Sequence, residues 1–274
     1  MKMYRILMCA PEYFGVEYVI NPWMEGKLGG VLGGLAREQW GYLHGVLTKV
    51  LGVETVLVSP QPGLPDIVFT ANAASVRNGV AVPARFRHPE RQGEEPFYRA
   101  SLIEAGYEIR DSPDGVAFEG AGDALFYEVE TPTPLLFAAH GFRTDPESHP
   151  FLAAAFGADV VSLRLVDPRF YHLDTCFCPL LGGYVLWYPP AFDAESQAKV
   201  AATVPGAKLY AVPDTDATAF ACNAVGVGEH VVVNSASSTL REKLFGWGFT
   251  THLTPLSEFM KAGGSSKCLT LRLW

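Results

Sequence analysis

Short apolar segments rich in β-branched residues recur along the whole chain and predict β-strands. Longer segments with helical spacing lie between them, and each ends at or near a glycine or proline, as helices commonly do. The predicted strands cover residues 4–9, 55–59, 66–69, 79–82, 135–139, 159–163, 184–188, 230–234 and 269–274. The predicted helices cover residues 35–51, 94–106, 148–157, 194–204 and 238–248.

The spacing of these elements predicts five similar units. Successive predicted helices begin roughly 45 to 60 residues apart, and each is followed by a strand-like segment. No Pro-, Ser- or Gly-rich linker interrupts the series, which favours a single domain over residues 1–274. Alternating strands and helices indicate an α/β fold, for which a doubly wound sheet is the common form. The glycine-rich nucleotide loop of that form is missing after the first strand, and GGVLGG at 29–34 lacks the lysine and spacing of a phosphate loop.

Charge and composition narrow the class of partner. The 274 residues carry 29 acidic and 21 basic side chains, a formal charge of -8, which disfavours nonspecific binding to nucleic acid or to a membrane surface. The five scattered cysteines indicate reduced thiols. The opening MKMYRILMCAPEYF is too short for a signal-peptide core, and no apolar stretch approaches the roughly 20 residues of a membrane span. We therefore expect a cytoplasmic protein that acts on a small molecule.

Four polar segments interrupt otherwise apolar surroundings. They are DIVFTANAA at 66–74, FEGAGDALF at 118–126, FYHLDTCFCPL at 170–180 and GGSSKC at 263–268. Polar groups among large apolar residues are costly to bury unless they are paired or used in function. Together these segments supply a thiol, an imidazole and several carboxylates, which makes them the candidate chemistry of the chain.

The cysteine of the last segment has two interpretations. A lone cysteine entering a strand is commonly a small core residue. Against this, Gly263 and Gly264 permit a close backbone approach, and the positive charge of Lys267 favours the reactive thiolate of Cys268. Position alone leaves both interpretations open.

The other segments supply acid and base groups. His172 and Asp174 form an H-x-D arrangement that, on a strand, projects from one face, as a satisfied core pair or as an acid/base pair. Glu119 and Asp123 flank a loop of small residues that admits a ligand to two carboxylates. These four side chains are plausible metal ligands, but no H-x-x-x-H, C-x-x-C or Asp-rich spacing occurs, and the sequence does not favour a metal site.

The same segments, in the same order, resemble the guanidino-group-modifying superfamily of arginine deiminases, dimethylargininases and amidinotransferases. The resemblance covers nearly the whole chain, from INPWM at 20–24 to GGSSKC. FTANA, RFRHPER, FEGAGDAL, FYHLDTCFCPL, FACNAV and AGGSSKCLTLR are most similar to the arginine dihydrolases, also called arginine-guanidine-removing enzymes. This resemblance implies a fivefold pseudo-symmetric α/β propeller, the pentein-like fold, in one amidinotransferase-like catalytic domain.

The resemblance also implies roles for the polar residues. Cys268 is expected to be the nucleophile and His172 the general acid/base. Glu119 and Asp174 are expected to bind the guanidinium, with Asp123 supporting them, and no cofactor is implied. These groups suit the chemistry, because a guanidinium carbon is attackable only when carboxylates hold the cation beside a thiolate.

The α-carboxylate of an amino-acid substrate requires basic partners. Arg91 in RQGE and Arg143 in GFRTD match the carboxylate-binding arginines of the family. An arginine meets a carboxylate through two parallel hydrogen bonds. Arg85 and Arg87 in RFRHPER are rivals, and any of the four could instead be solvated surface charge.

Asn72 is the informative departure within the superfamily. The deiminases, dimethylargininases and amidinotransferases have an aspartate at this place, whereas the arginine dihydrolases share the amide. An amide donates as well as accepts hydrogen bonds, so we expect Asn72 to admit the ureido group of citrulline for a second hydrolysis. Asn21 is expected to assist from a loop or to serve as a turn residue, and Asp66 to contact substrate or to cap a turn.

Three functions remain open at this point. The first is an arginine dihydrolase that gives ornithine, carbon dioxide and two ammonias. The second stops at citrulline, from arginine or methylated arginine, and the third is a noncatalytic amino-acid-binding or assembly protein of the same fold. Arginine dihydrolases can carry a further C-terminal domain, whose activity we do not expect in a chain ending at Trp274. No feature indicates an oligomeric state.

Overall fold

The computed structural model describes residues 4–274, which contain fifteen β-strands and eight α-helices. The strands are β1 (Arg5–Cys9), β2 (Glu54–Val58), β3 (Ala74–Arg77), β4 (Val80–Pro83), β5 (Glu108–Ile109), β6 (Ala124–Phe126), β7 (Leu135–His140), β8 (Asp159–Arg164), β9 (Phe177–Leu180), β10 (Tyr184–Trp187), β11 (Leu209–Ala211), β12 (Val225–Val227), β13 (His230–Val233), β14 (Thr250–Leu253) and β15 (Leu271–Leu273). The helices are α1 (Gly33–Gly45), α2 (Pro89–Gln92), α3 (Glu95–Glu104), α4 (Ser148–Phe156), α5 (Ala194–Thr203), α6 (Asp214–Thr218), α7 (Ser238–Gly246) and α8 (Ser257–Met260). A π-helical turn, Val46–Val50, continues α1. No helix within residues 4–274 is long and apolar enough to cross a membrane.

The strands form five three-stranded sheets with one repeated topology. In each sheet the middle strand pairs antiparallel with one neighbour and parallel with the other. The parallel connection always contains a helix, since parallel strands need a long crossover. The antiparallel connection can be a tight turn, as between β3 and β4, where Asn78 and Gly79 both have positive φ.

The two ends of the chain complete one unit together. Strand β15 pairs antiparallel with β1, placing Leu273 opposite Arg5, and β1 pairs parallel with β2, placing Arg5 opposite Glu54. In each unit we call the strand that pairs antiparallel with the middle strand the leading strand, and the strand that pairs parallel with it the trailing strand. The first unit therefore takes its leading strand, β15, from the last residues of the chain. This arrangement accounts for five equivalent units and closes the fivefold series.

Most of the predicted elements are confirmed. All five predicted helices are present, and eight of the nine predicted strands match observed strands. The strand predicted at 66–69 is wrong, because Pro65–Val68 and Thr70–Ala73 form consecutive 3-10 turns. Pro65 occupies the first turn, where its missing N–H is no loss, and Phe69 N donates to Asp66 O at 2.9 Å.

The leading strand of each unit is mostly buried, and most residues of the trailing strand are at least partly exposed. Every residue of β6 is buried, for example, whereas no residue of β5 or β11 is. Each leading strand is preceded by a buried turn. The turn before β6 contacts both the turn before β3 and the turn before β9, so the polar residues within them meet inside the molecule.

Candidate active site

The turns before β3, β9 and β15, together with neighbouring loops, line a cavity of about 10 Å³, enough for a single water molecule. Seven of the ten sequence-predicted site residues line it: Asn21, Asp66, Asn72, Arg91, Arg143, His172 and Cys268. The other three lie directly behind these, where Glu119 and Asp123 approach His172, and Asp174 approaches Cys268. The structure thus brings all ten residues together.

The rival arginines of RFRHPER lie elsewhere. Arg85 pairs with Asp114 at 3.0 Å and Arg87 pairs with Asp145, both at partly exposed positions outside the cavity lining. A larger cavity, about 80 Å³, is lined by Lys267 but not by Cys268 or His172. Its walls lack the nucleophile and the imidazole, so the candidate chemistry belongs to the smaller cavity.

Cys268 lies in the turn before β15 and is only 3% exposed. Its Sγ accepts a hydrogen bond from Asn223 Nδ2 at 3.0 Å and lies 3.6 Å from Asp174 Oδ2. Burial, and then the charge of Asp174, raise the pKa of the thiol above its ordinary value. Lys267 acts in the expected direction, but its effect is outweighed, so the resting side chain is a thiol at neutral pH.

The double glycine before Cys268 is required by close contacts. Gly263 has φ +83, and a Cβ there would lie 2.7 Å from Tyr171 Oη and 2.9 Å from Asn21 Oδ1. A Cβ on Gly264 would overlap the ring of Phe69. The backbone therefore passes beside three side chains with no room for a methyl group, as the sequence predicted for this pair.

His172 takes its carboxylate partner from another unit. His172 Nε2 lies 2.7 Å from Glu119 Oε2 and 4.0 Å from Asp123 Oδ2. The prediction that the H-x-D motif lies on a strand is wrong, because His172 is the N-cap of the 3-10 turn Leu173–Thr175. Asp174 is directed to Cys268 and not to the imidazole. Since an ionised carboxylate only accepts, Nε2 is the protonated nitrogen of His172.

Glu119 is held as a carboxylate by its partners. Burial alone would raise its pKa, but Arg143 and His172 lower it below its ordinary value. Arg143 Nη1 donates to Glu119 Oε2 at 3.1 Å, and Nη2 donates to Ile20 O at 3.0 Å. The Arg143 guanidinium also lies 4.6 Å from the ring centre of Tyr171. A cation therefore already contacts the carboxylate expected to bind the substrate guanidinium.

Asp123 and Asp174 are buried carboxylates with raised pKa values. Burial raises the pKa of Asp123 to about 6, while His172 and the hydroxyl of Thr144, 2.7 Å from Oδ2, oppose the shift. Burial raises the pKa of Asp174 to about 7, opposed first by Lys267. Asp123 Oδ1 also accepts from the backbone N–H of Leu173 at 3.0 Å, so Asp123 fixes the turn that carries the histidine.

The orientation of Asn72 is set by a buried ion pair. Arg91 Nη1 donates to Asn72 Oδ1 at 2.8 Å, while Arg91 Nε and Nη2 donate to Glu94 at 2.9 and 2.8 Å. Asn72 Nδ2 is consequently turned toward Glu119 O, at 3.4 Å, and toward Gly122. A Cβ on Gly122 would overlap Nδ2, so this glycine makes room for the amide.

Two further predicted residues, Asp66 and Asn21, line the cavity. Asp66 accepts from Tyr18 Oη at 2.9 Å through Oδ2, whereas its Oδ1 is buried without a hydrogen-bond partner. Burial raises the pKa of Asp66, and Arg91 opposes the shift. Asn21 caps the 3-10 turn Pro22–Met24 and donates to Ala262 O at 3.1 Å. Asn21 thus links its loop to the segment before Cys268.

Sequence reasoning missed Asn223 as a residue in contact with the nucleophile and Tyr171 as one that lines the cavity. Asn223 has hydrogen bonds to both Cys268 and Asp174. Its signal was positional, because Asn223 precedes β12 by two residues as Asn72 precedes β3. Among residues 4–274, no group of three or more His, Cys, Asp or Glu side chains is arranged to hold a metal ion.

Comparison with known proteins gives the family. No protein-family model matches the chain. Over 98% of its length the chain is 51% identical to the bifunctional arginine dihydrolase/ornithine cyclodeaminase ArgZ of Synechocystis, of which it spans 37%. It is 40% identical, again over 98%, to the N(G),N(G)-dimethylarginine dimethylaminohydrolase of Mycobacterium tuberculosis, and covers 85% of that protein. The chain belongs to the guanidino-group-modifying superfamily.

Solved structures agree with this assignment to the guanidino-group-modifying superfamily. A crystal structure of the N-terminal domain of ArgZ, a cysteine-to-serine variant bound to substrate, matches with a TM-score of 0.95 and 50% identity over 98% of both chains. An asparagine-to-serine variant of the same domain, covalently bound to a reaction intermediate, matches equally well over 99% of this chain. The predicted fivefold pseudo-symmetric α/β propeller is confirmed.

Proposed function

We propose that this chain is an arginine dihydrolase that converts arginine and two water molecules into ornithine, carbon dioxide and two ammonias. The observation that carries the proposal is the amide of Asn72 among the buried thiol, imidazole and carboxylates of the cavity. Its similarity to ArgZ over the dihydrolase-like part supports the same activity. The reaction as proposed uses only protein side chains, in one catalytic domain, and we place it in the cytoplasm.

The first hydrolysis begins with the guanidinium held between Glu119 and Asp174. The cationic substrate lowers the pKa of Cys268, the thiol proton passes to His172, and the thiolate attacks the guanidinium carbon. A C–N bond then breaks, and His172 donates the proton that leaves with ammonia. Water, deprotonated by His172, attacks the thiouronium carbon, and departure of the thiolate leaves citrulline. Asp123 holds the turn that positions the histidine throughout.

The amino-acid end of the substrate is bound by charges farther from the thiol. Arg143 is the better carboxylate partner, because its guanidinium has one strong side-chain contact to give up, the one to Glu119. Arg91 already donates to Glu94, Asn72 and Asp66 O, which leaves little of its fork for a substrate. The free Oδ1 of Asp66 suits the α-ammonium.

The second hydrolysis depends on the donor of Asn72. Citrulline has a neutral ureido carbonyl, which needs a hydrogen-bond donor where the guanidinium had an N–H. Arg91 holds Oδ1, so Nδ2 of Asn72, which lies toward Glu119 O and Gly122, is the donor that this amide offers. A second attack by Cys268 on the ureido carbon expels ammonia. Water then displaces the thiolate from the adduct, and the resulting carbamate of ornithine loses carbon dioxide to give ornithine. Asn21 supports this step by tying its loop over the cavity.

A second candidate function is hydrolysis of a methylated arginine to citrulline. The observation that favours it is the 40% identity to the mycobacterial dimethylarginine dimethylaminohydrolase, of which this chain covers 85%. The same thiol, imidazole and carboxylates serve that reaction. The two candidates differ in the released amine and in the fate of citrulline.

Product analysis tests the two candidates. The purified chain is incubated with L-arginine and separately with asymmetric dimethylarginine, and ornithine, citrulline, ammonia and dimethylamine are quantified. Two ammonias per ornithine from arginine supports the dihydrolase, whereas stoichiometric citrulline or dimethylamine supports the second candidate. The Cys268→Ser variant is the control and should give no product from either substrate. Arginine turnover that ends at citrulline refutes the first proposal.

A further inference from the structure

The repeated topology identifies one unit whose contribution to the site has no assigned role. Four units place a predicted site residue in the turn before their leading strand: Cys268 before β15, Asn72 before β3, Glu119 before β6 and His172 before β9. In the fifth unit the equivalent turn, before β12, carries Asn223. This residue lies within FACNAV, a segment that the proposed chemistry does not otherwise use.

Every hydrogen-bonding atom of the Asn223 amide is committed. Oδ1 accepts from the backbone N–H groups of Lys267 at 3.1 Å and Cys268 at 3.2 Å. Nδ2 donates to Asp174 O at 2.9 Å and to Cys268 Sγ at 3.0 Å. Two backbone N–H groups can face only an oxygen, so the amide orientation is fixed and the sulfur faces a donor.

The turn that delivers Asn223 is strained. Phe220 has φ +61, a left-handed conformation that is unfavourable for a bulky residue, and its side chain is fully buried. Its carbonyl accepts from the Asn223 N–H at 3.0 Å, and its ring lies 4.7 Å from the ring of Trp23. The surrounding packing therefore maintains the unfavourable conformation of Phe220, and this conformation positions the Asn223 side chain.

The sulfur lies between this amide and a carboxylate. Asp174 is 3.6 and 3.7 Å from Sγ, and its negative charge opposes a thiolate. The backbone of Ser265 also lowers the pKa of this thiol, and Asn223 supplies the side-chain N–H donor to Sγ. Removing that donor would leave the thiolate facing Asp174 in a buried site, where charge repulsion is strong.

We propose that Asn223 is a further catalytic residue, which holds Cys268 Sγ in place and stabilises its thiolate. This inference rests on the proposed thiol chemistry and adds a residue to it. The sulfur becomes a thiolate before each attack and again when water displaces it from the adduct. Because both steps recur in a dihydrolase, loss of the donor slows both hydrolytic rounds. Substrate affinity depends less on Asn223, which does not line the cavity.

The Asn223→Asp variant replaces the donor with an acceptor and adds a charge beside Sγ, and Asn223→Ser, measured alongside it, removes the donor without that charge. Asn223→Asp preserves the side-chain shape and the acceptor for both backbone N–H groups, and replaces Nδ2 with an oxygen that faces Sγ. Cys268 alkylation by iodoacetamide is followed against pH by mass spectrometry of the Cys268 peptide, with kcat and KM for arginine measured alongside. We expect the pH of half-maximal alkylation rate, the alkylation midpoint, to rise by about one pH unit or more. We also expect kcat to fall at least about tenfold, while KM changes by less than about threefold.

The matched control is Asn234→Asp. Asn234 also bridges backbone segments, donating to Ala219 O at 3.0 Å and accepting from Leu256 N at 2.7 Å, but it has no contact to Cys268. Its alkylation midpoint and kcat should equal those of the unmodified chain. If Asn223→Asp is unfolded by circular dichroism, Asn223→Ser serves alone for the same measurement.

The outcomes separate this inference from the proposed function. An unchanged alkylation midpoint in a folded Asn223 variant overturns the inference, even if the chain hydrolyses arginine. A raised midpoint in a chain that releases neither citrulline nor ornithine supports Asn223 as the donor to the thiolate and refutes the proposed activity. An equal rise in Asn234→Asp would show a general charge effect and would also overturn the inference.

Discussion

Replacing Asn72 by aspartate tests how many C–N bonds the site cuts. The substitution changes one atom, because Oδ1 continues to accept from Arg91 and only Nδ2 becomes an oxygen. Guanidinium is a cation with N–H donors, so an additional carboxylate does not oppose the first hydrolysis. Citrulline presents a carbonyl oxygen instead, which would face a carboxylate oxygen in place of a donor. We therefore expect citrulline to accumulate.

The magnitude follows from the single hydrogen bond that is lost. Leaving a buried polar group without its partner costs about 1–3 kcal/mol. Each 1.4 kcal/mol corresponds to about a tenfold change in rate, so the citrulline step should slow by roughly 5- to 150-fold. The weak contact from Asn72 Nδ2 to Glu119 O, 3.4 Å long, adds a small structural cost to this value.

The assay follows citrulline and ornithine together during arginine turnover, and then ornithine formation from added citrulline. Asn78→Asp is the control, because Asn78 is an exposed turn residue with φ +49, a conformation that aspartate tolerates. The control should produce ornithine without accumulating citrulline. If Asn72→Asp also forms ornithine at the unmodified rate, Asn72 does not govern the second hydrolysis.

Three other predictions concern the thiol, the double glycine and the carboxylate site. Because burial raises the pKa of Cys268, its alkylation by iodoacetamide in the free protein should accelerate about tenfold per pH unit from pH 7 to 9, and a plateau below pH 8 would contradict this. Gly264→Ala, whose methyl overlaps Phe69, should lower the free energy of unfolding in urea by about 1–3 kcal/mol, whereas Gly45→Ala, with open space, should not. Arg143→Leu should reduce the preference for arginine over agmatine, which lacks the α-carboxylate, by roughly 10- to 150-fold in kcat/KM, and an unchanged preference would assign the carboxylate to another residue.

Local patterns predicted the repeated helices and most strands. Helix α5, for example, begins after Asp193, whose side chain accepts from Ser196 N at 2.8 Å, a cap readable from nearby residues. The segment 66–69 was misread because its apolar residues suit a buried strand as well as a buried turn. Its turn is determined by Pro65 and by the surrounding units, which local apolarity does not record. Short leading strands such as β6 and β12 were also missed, because their pairing depends on the neighbouring strands of the sheet and not on a local pattern.

Five of the ten site residues, Cys268, His172, Asp174, Glu119 and Asp123, could be named from the polar segments of the sequence. The other five depended on the resemblance, and neither route predicted which residues pair. Asp174 is two residues from His172, yet it approaches Cys268, 94 positions away, while His172 pairs with Glu119, 53 positions away. These contacts depend on how the five units close, which no local pattern contains. Asn223 was missed because an isolated asparagine among apolar residues has no chemical motif of its own.

The contact between Arg143 and Glu119 bears on how substrate enters. A cavity of about 10 Å³ cannot hold arginine, so binding requires side chains to move. If the cavity opened only by movement of the Arg143 side chain away from Glu119, the buried Glu119 carboxylate would lose one of its partners, which is costly. In the proposed reaction, arginine brings its own guanidinium to Glu119, so one cation replaces another and Arg143 becomes free to meet the α-carboxylate. Citrulline lacks that charge, so its retention for the proposed second hydrolysis depends on neutral hydrogen bonds. The donor of Asn72 is one of these, and the buried Arg91 keeps it in place.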